Sequence, residues 1–278
     1  MRNYKYNKKK LIKKNYKIKY KKKSIDVYWD REYNVGLDQN GNPLNSLKKR
    51  CNAYTEDEPE TIEWIESFDS SSVFYDVGSN IGGFSFIATM IHDKIKVYSF
   101  EPNFINFYCM MKTCIQNKIT NICPMNVAIH KKNKMDNFLY DHLEVGFKGN
   151  FGNELKSEMK NSAFSNPFKS GRGINSKSNV MGITIDSLVY DFGLPKPDYL
   201  KIDVDGNELF VIQGAIRLLK EKYIKQILIE IDDKVYQDSE VDNIIEECGY
   251  TPTKTIDIKQ PKRNYKESVM RMVLYEST

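Results

Sequence analysis

The residues with the clearest chemical promise stand in two short runs. Asp76, Gly78, Ser79, Asn80 and Gly82 lie within VFYDVGSNIGG (73–83), and Glu101 directly follows KVYSF (96–100). Val73, Phe74, Tyr75 and Val77 are β-formers, and FSFIATMI (84–91) is apolar enough for a helix packed on a sheet. The pattern predicts strand, tight glycine turn, helix. Glycines there let the backbone approach a ligand, and the helix N-terminus behind them favours polar or anionic groups. In α/β sheets, ligands sit at the carboxyl ends of strands, where this turn lies. The spacing D-x-G-x-x-x-G differs from the G-x-G-x-x-G of dinucleotide binders. An acid two residues before the first glycine repels a pyrophosphate. It suits a cation such as the ammonium of S-adenosylmethionine (SAM). Glu101, at the tip of a second strand, can then bind both hydroxyls of a ribose. A glycine turn can be only a turn, and a charged strand end is common; the ordered pair is the stronger signal.

A second set of acids closes later strands. DYLKIDV (198–204) reads as a buried fourth strand ending in Asp203 and Asp205, and Gly206, Asn207 and Glu208 open a helix. KQILIEID (225–232) reads as a fifth strand ending in Glu230 and Asp232. A carboxylate at either tip can take the proton of a hydroxyl being alkylated. Asp203, Glu208 and Glu230 are the catalytic candidates, with Asp203 first because it ends a buried strand. The alternative is that these acids cap helices or attract the SAM amine. Asp203-Val-Asp205 also matches a metal-binding D-x-D of a nucleotide-sugar glycosyltransferase, a reading that leaves the glycine turn and Glu101 unexplained.

Other elements must position these groups. EPETIEWIESF (58–68) is an amphipathic helix, with Pro59 in its first turn and Ile62, Ile65 and Phe68 at helical spacing. Phe104–Gln116 is another, striped by Phe107, Met111, Cys114 and Ile115. Residues 121–129 read as a third strand with Asn126 near its end, either facing the adenine or simply turning the chain. Residues 142–180, rich in Gly, Ser, Asn and Phe, break the rhythm and read as a substrate-facing insertion. Asp186 reads as a helix N-cap, 240–248 as a short helix, and 250–258 and 269–275 as closing antiparallel strands. The alternation is that of a doubly wound α/β sheet.

With 278 residues, 40% of them hydrophobic, the chain can form one α/β domain with additions. No apolar run reaches the length of a membrane-spanning helix. The five cysteines show no C-x-x-C, which suits reduced thiols in a cytoplasmic setting. His92, His130 and His142 lack zinc-ligand spacing with them, so no metal is expected. The net charge of +5 is unevenly spread: residues 1–23 hold 12 basic residues and no acid, while the remainder has 30 basic against 37 acidic. The expected organisation is a disordered basic tail (1–23), an extension with a covering helix (24–72) and a catalytic domain (73–278). The tail could contact a polyanion such as nucleic acid, anionic lipid or acidic glycan, or be a solvated product of a lysine-rich composition.

FYDVGSNIGGFS (74–85), FEPN (100–103), NVAI (126–129), TIDSL (184–188), DYLKIDVDGNELFVIQGA (198–215) and ILIEID (227–232) together resemble the FkbM-type family of SAM-dependent methyltransferases. The resemblance spans roughly 60–270. It implies a class I methyltransferase fold, Rossmann-like and seven-stranded with its last strand antiparallel, and SAM as methyl donor. It also implies a hydroxyl acceptor on a sugar, glycan or other small molecule. By the same resemblance Asp76, Gly78, Asn80 and Gly82 match the cofactor loop and Glu101 the ribose acid. Asp203, Gly206 and Glu208 match the KIDVEGxE segment, in which Asp205 replaces the usual glutamate. The remaining alternatives are the metal-dependent glycosyltransferase and a non-catalytic SAM-fold module held on a polyanion by its tail. Gly78→Val is expected to block the cofactor while sparing the fold, and deletion of 1–23 to spare the body.

Overall fold

The computed structural model describes residues 16–28, 46–140, 145–146, 149–152, 176–232, 240–258 and 270–278. Its centre is a mixed seven-stranded sheet. The strands in chain order are β3 (Val73–Val77), β4 (Lys96–Phe100), β5 (Ile122–Met125), β10 (Tyr199–Ile202), β11 (Gln226–Asp232), β12 (Tyr250–Ile258) and β13 (Met270–Ser277). Their spatial order is β12-β13-β11-β10-β3-β4-β5. The first five run parallel, whereas β13 is antiparallel to both neighbours, β11 and β12. This is the expected doubly wound class I arrangement, with the last strand antiparallel. Prolines fall on the edges, Pro124 in β5 and Pro252 beside the register shift in β12, where a missing N–H costs no inner ladder bond.

Both faces of the sheet are buried, which explains the nearly continuous apolar strands. Tyr75, Val77, Leu200, Ile202, Ile227 and Ile229 face one core. It is covered by α5 (Ile185–Tyr190), α6 (Glu208–Gln213), α7 (Ile216–Lys220) and α8 (Glu240–Glu247). Phe74, Val97, Tyr199 and Leu228 face the other, under α1 (Ser46–Glu56), α2 (Pro59–Glu66), α3 (Gly83–Ile91) and α4 (Phe104–Asn117). Among the described residues, no helix is long and apolar enough to cross a membrane.

Three expectations change. The tail was expected to be disordered through residue 23, yet β1 (Tyr16–Tyr20) pairs antiparallel with β2 (Lys23–Val27), and Ile18, Ile25 and Val27 join the α3–α4 core. Alternating lysines hid a strand with one apolar face. Residues 1–15 lie outside the described residues. Second, the expected third strand divides at Asn126. Residues 122–125 stay in the main sheet, while β6 (Ala128–Ile129) enters a four-stranded sheet of order β6-β9-β7-β8. That sheet also contains β7 (Lys134–Tyr140), β8 (Gly149–Phe151) and β9 (Ser176–Ile183). The 142–180 stretch is therefore partly strand, with Phe138, Phe151 and Val180 in a small core; 153–175 lie outside the described residues. Third, α5 is capped by Thr184, whose hydroxyl accepts from Ser187 N at 2.9 Å. Asp186 instead accepts from the first amides of α7, Arg217 N and Leu218 N, both at 2.9 Å.

Candidate active site

The two runs that opened the sequence reading meet at the carboxyl ends of β3 and β4. Gly78 N and Ser79 N both donate to Phe100 O, at 3.0 and 3.1 Å. Asn80 N donates to Glu101 Oε2 at 2.8 Å, and Asn103 N to Oε1 at 2.9 Å. Gly78, Asn80 and Gly82 all take positive φ, which glycine and, among other residues, asparagine tolerate best. The turn after β3 is thereby clamped onto the acid after β4.

Glu101 is buried, and burial pushes its carboxyl up to about 7 against the Asn103 and Asn80 amides and the Asn106 side chain. An ionised carboxylate offers about four lone-pair sites. Three donors already reach this one, leaving room for about one ribose hydroxyl rather than the expected pair.

Asp76 is also buried. Its Oδ2 accepts from Ser85 Oγ at 2.5 Å, and Ser85 Oγ in turn lies 2.7 Å from Ser99 Oγ. Its Oδ1 has no hydrogen-bond partner among the described residues. Burial raises the Asp76 carboxyl above the ordinary aspartate value, against the pull of Lys201. An unpartnered buried acceptor under the glycine turn gains most from a donor on a bound ligand, which fits a cofactor carrying an ammonium.

The structure revises several roles. A Cβ built on Gly78 would lie 1.8 Å from Asp203 O, so this glycine is required by the neighbouring strand end itself. The expectation that Gly78→Val spares the fold is therefore corrected. Ser79 does not point to the crevice: its hydroxyl faces Met110 Sδ at 3.8 Å. A Cβ on Gly82 would meet Met110 Sδ at 2.7 Å. Asn126 spends its amide on Glu101 O and Pro102 O, at 2.8 and 3.1 Å, and so holds the chain that follows β4.

At the end of β10, Asp203 and Glu208 part company. Asp203 N donates to Val77 O at 3.0 Å, tying the strand end to the turn. Its Oδ2 accepts from Lys201 Nζ at 2.9 Å; the Asp203 side chain is 24% exposed and that of Lys201 only 3%. Asp203 is therefore partly open to solvent while its counterion is not. Burial works against the charge on Lys201, but Asp203, Glu58 and Asp76 outweigh it and hold the ammonium above the ordinary lysine value. Lys201 also lies over the Phe84 ring, 5.0 Å from its centre. Glu208 is buried and turns back on its own loop. Its two oxygens accept from Gly206 N at 3.0 and 3.1 Å, and Oε1 from Val204 N at 3.3 Å. The base role read for Glu208 gives way to that of a brace for the turn, where Asp205 and Gly206 have positive φ. Glu230 lies two residues beyond Leu228 on β11, opposite Met272. It is half-buried, on the same sheet face as Asp76 and Lys201.

Sequence reasoning missed four residues here: Arg50 and Tyr54 on α1, Glu58 just before α2, and Lys201. A Cβ on Gly83 would strike the Tyr54 ring at 2.1 Å, so Gly83 exists to seat α1 against α3. Burial raises the Glu58 carboxyl, against the pull of Lys201. Lys201 was visible as an ionisable residue inside an otherwise apolar strand.

A family model described as the methyltransferase FkbM domain matches residues 76–252. The chain belongs to the FkbM methyltransferase family. Its cofactor is SAM, and the clamped turn with Asp76 and Glu101 lies within the matched residues. Family membership sets aside the glycosyltransferase reading, and the first Asp of the D-x-D already holds a lysine. Among the described residues, no group of three or more His, Cys, Asp or Glu is placed to hold a metal. One curated relative, described as hexuronic acid methyltransferase AglP from Haloferax volcanii, is 27% identical over 167 residues, 60% of this chain and 59% of the relative. The chain thus spans less than two thirds of that relative. Among solved structures, methyltransferase FkbM from Methylobacillus flagellatus KT aligns with a TM-score of 0.47 and 15% identity, covering 87% of this chain and 56% of that one. Magnesium protoporphyrin IX methyltransferase from Synechocystis PCC 6803, with bound SAM, aligns at 0.48 and 10% identity, covering 89% and 88%.

Proposed function

We propose that this FkbM-family methyltransferase methylates a hydroxyl of a sugar or glycan acceptor, or of another small molecule of that kind. The observation that carries the reading is Asp203, a partly exposed carboxylate bonded to a buried lysine and tied by its backbone to the cofactor turn. The description of the AglP relative as a hexuronic acid methyltransferase supports a sugar acceptor.

In this reading Asp76, Gly78, Asn80, Gly82 and Glu101 form the cofactor side. Ser79 and Asn126 shape it from behind. SAM supplies an electrophilic methyl group on a sulfonium. Asp203 orients the acceptor hydroxyl and takes its proton as the oxygen–methyl bond forms and the sulfur–methyl bond breaks. A carboxylate is a weak base, but an oxygen being alkylated becomes strongly acidic, so a weak base suffices. Glu230 is the second candidate for this role. Holding the acceptor in line with the methyl can account for roughly 7–11 kcal/mol of the barrier.

The five free cysteines support a reducing, cytoplasmic setting. The lysine-dense residues 1–23 support contact with a polyanion, which could be an acidic acceptor itself.

The experiment is a screen with isotopically labelled SAM against neutral glycosides, amino sugars and hexuronates. Mass spectrometry and demethylation chemistry then locate the added methyl group. Label on a glycan oxygen supports the proposal. Label that goes only to nitrogen, to nucleic acid or to protein contradicts it.

A further inference from the structure

Arg50 lies outside the 76–252 match, on α1, yet its guanidinium bonds a peptide set against the turn after β3. Its Nε and Nη2 both donate to Gly146 O, at 3.3 and 3.2 Å. Gly146 N donates to Asn106 Oδ1 at 2.7 Å, and Asn106 is one of the groups that reach Glu101. Both ends of the Gly146 residue are therefore held, one by α1 and the other by α4. The φ of +87° suits glycine, and Val145 beside it is buried in the α3–α4 core. A Cβ built on Gly146 would lie 4.0 Å from Asn80 Oδ1, which sets this peptide against the cofactor turn.

The charge of the same guanidinium faces Asp203 and Asp205 after β10, Glu58 before α2, and the Tyr54 phenol on its own helix. Cys51, next to it on α1, also feels this charge. Burial opposes the charge on Arg50, and Tyr54, Asp203, Asp205 and Glu58 outweigh it.

We propose that Arg50 is a positioning residue of the cofactor crevice: its guanidinium fork fixes Gly146 beside the turn, and its charge balances Asp203, Asp205 and Glu58. A fork is needed because two nitrogens share one carbonyl, a geometry that a lysine ammonium does not reproduce. The inference rests on SAM binding at this turn and is independent of the acceptor.

Two ligands that differ at the sulfur separate these functions. SAM carries the sulfonium; S-adenosylhomocysteine carries a neutral thioether. Calorimetric Kd values for both, with thermal midpoints, are measured for wild type, Arg50→Met and Arg50→Lys. In Arg50→Met both affinities should fall by about tenfold or more, as expected for loss of a charge-assisted hydrogen bond that places part of the site. S-adenosylhomocysteine should lose about threefold more than SAM, because uncompensated carboxylates favour the sulfonium. Arg50→Lys should restore the wild-type ratio of the two affinities but not their absolute values. Should Arg50→Met fail to fold, the lysine variant carries the test alone through that same pattern. A lower thermal midpoint with both Kd values unchanged would make Arg50 merely structural and overturn the proposal. Equal losses for the two ligands would overturn its charge component, and full recovery of affinity by lysine would overturn the fork. Wild-type protein that binds neither ligand would instead refute the cofactor assignment on which the proposal stands.

Discussion

Around the turn after β3, the bonds that make the site run mostly from backbone to neighbouring chain: Asn80 N reaches Glu101 across 21 positions, and Gly78 N and Ser79 N reach Phe100 O. Around Asp203 the partners are largely side chains. Lys201, two positions before it at the end of β10, bonds its carboxylate, and Arg50, whose charge Asp203 faces, bonds Gly146 across 96 positions. The first rim is a conformation that the chain adopts because of glycines at set places. The second is a balance of buried charges assembled by tertiary packing. Errors at the first should cost the fold, whereas errors at the second should cost chemistry.

Gly78→Val tests that division most severely. The added Cβ falls 1.8 Å from Asp203 O in a residue with φ of +81°. Overpacking of this kind costs about 3 kcal/mol or more, so thermal denaturation should show a collapsed midpoint together with lost SAM binding. A variant that melts like wild type would mean that the two rims are not in contact as described. Asp203→Asn should behave in the opposite way. Methyl transfer to a responsive glycan should fall by roughly 10²–10⁴-fold, with SAM affinity much less affected. A collapse of SAM affinity would move Asp203 to the cofactor side.

Truncation gives a smaller, graded test. Removing residues 1–15 should leave the thermal midpoint and SAM affinity unchanged and weaken any salt-sensitive binding to polyanions. Removing 1–23 also deletes β1 and its fully buried Ile18, and loss of even that side chain should cost about 2–5 kcal/mol. Equal stability of the two truncations would return residues 16–23 to a loose tail.

The legible part of this protein was the part determined locally. Strands three, four and ten of the chain, the glycine turn and Glu101 were all readable because an apolar run ending in glycine or acid has few folded meanings. The capping role of Asp186 was misassigned because its partners, Arg217 N and Leu218 N, lie some thirty residues downstream. Glu208 looked like a base because spacing shows where an acid sits and not which amides it bends back to. Arg50 and Glu58 were invisible for the same reason, since the groups they face, Gly146 for one and Lys201 and Asp203 for the other, lie far along the chain. Ile18 was masked by the lysines on either side of it, although their alternation is what a one-faced strand requires.

The pH dependence of the first rim is the finest of these tests. Burial sets the Glu101 carboxyl at about 7, above the ordinary glutamate value of 4.5. The unfolded chain therefore binds fewer protons there between those values, so stability from this group is present at low pH and declines as pH rises through about 7. If the ionised Glu101 carboxylate accepts a SAM hydroxyl, SAM affinity should change the other way, rising about tenfold between pH 6 and pH 8. The stabilisation that SAM confers on melting should grow in the same direction.

A calorimetric titration of SAM into wild type and Glu101→Gln at those two pH values addresses the central claim, that the clamped turn and this acid hold the cofactor. One-to-one binding should appear in wild type and strengthen with pH, while Glu101→Gln should bind more weakly and with no pH dependence across that range. Equal SAM affinity in the two proteins at both pH values would place the cofactor elsewhere and contradict the account.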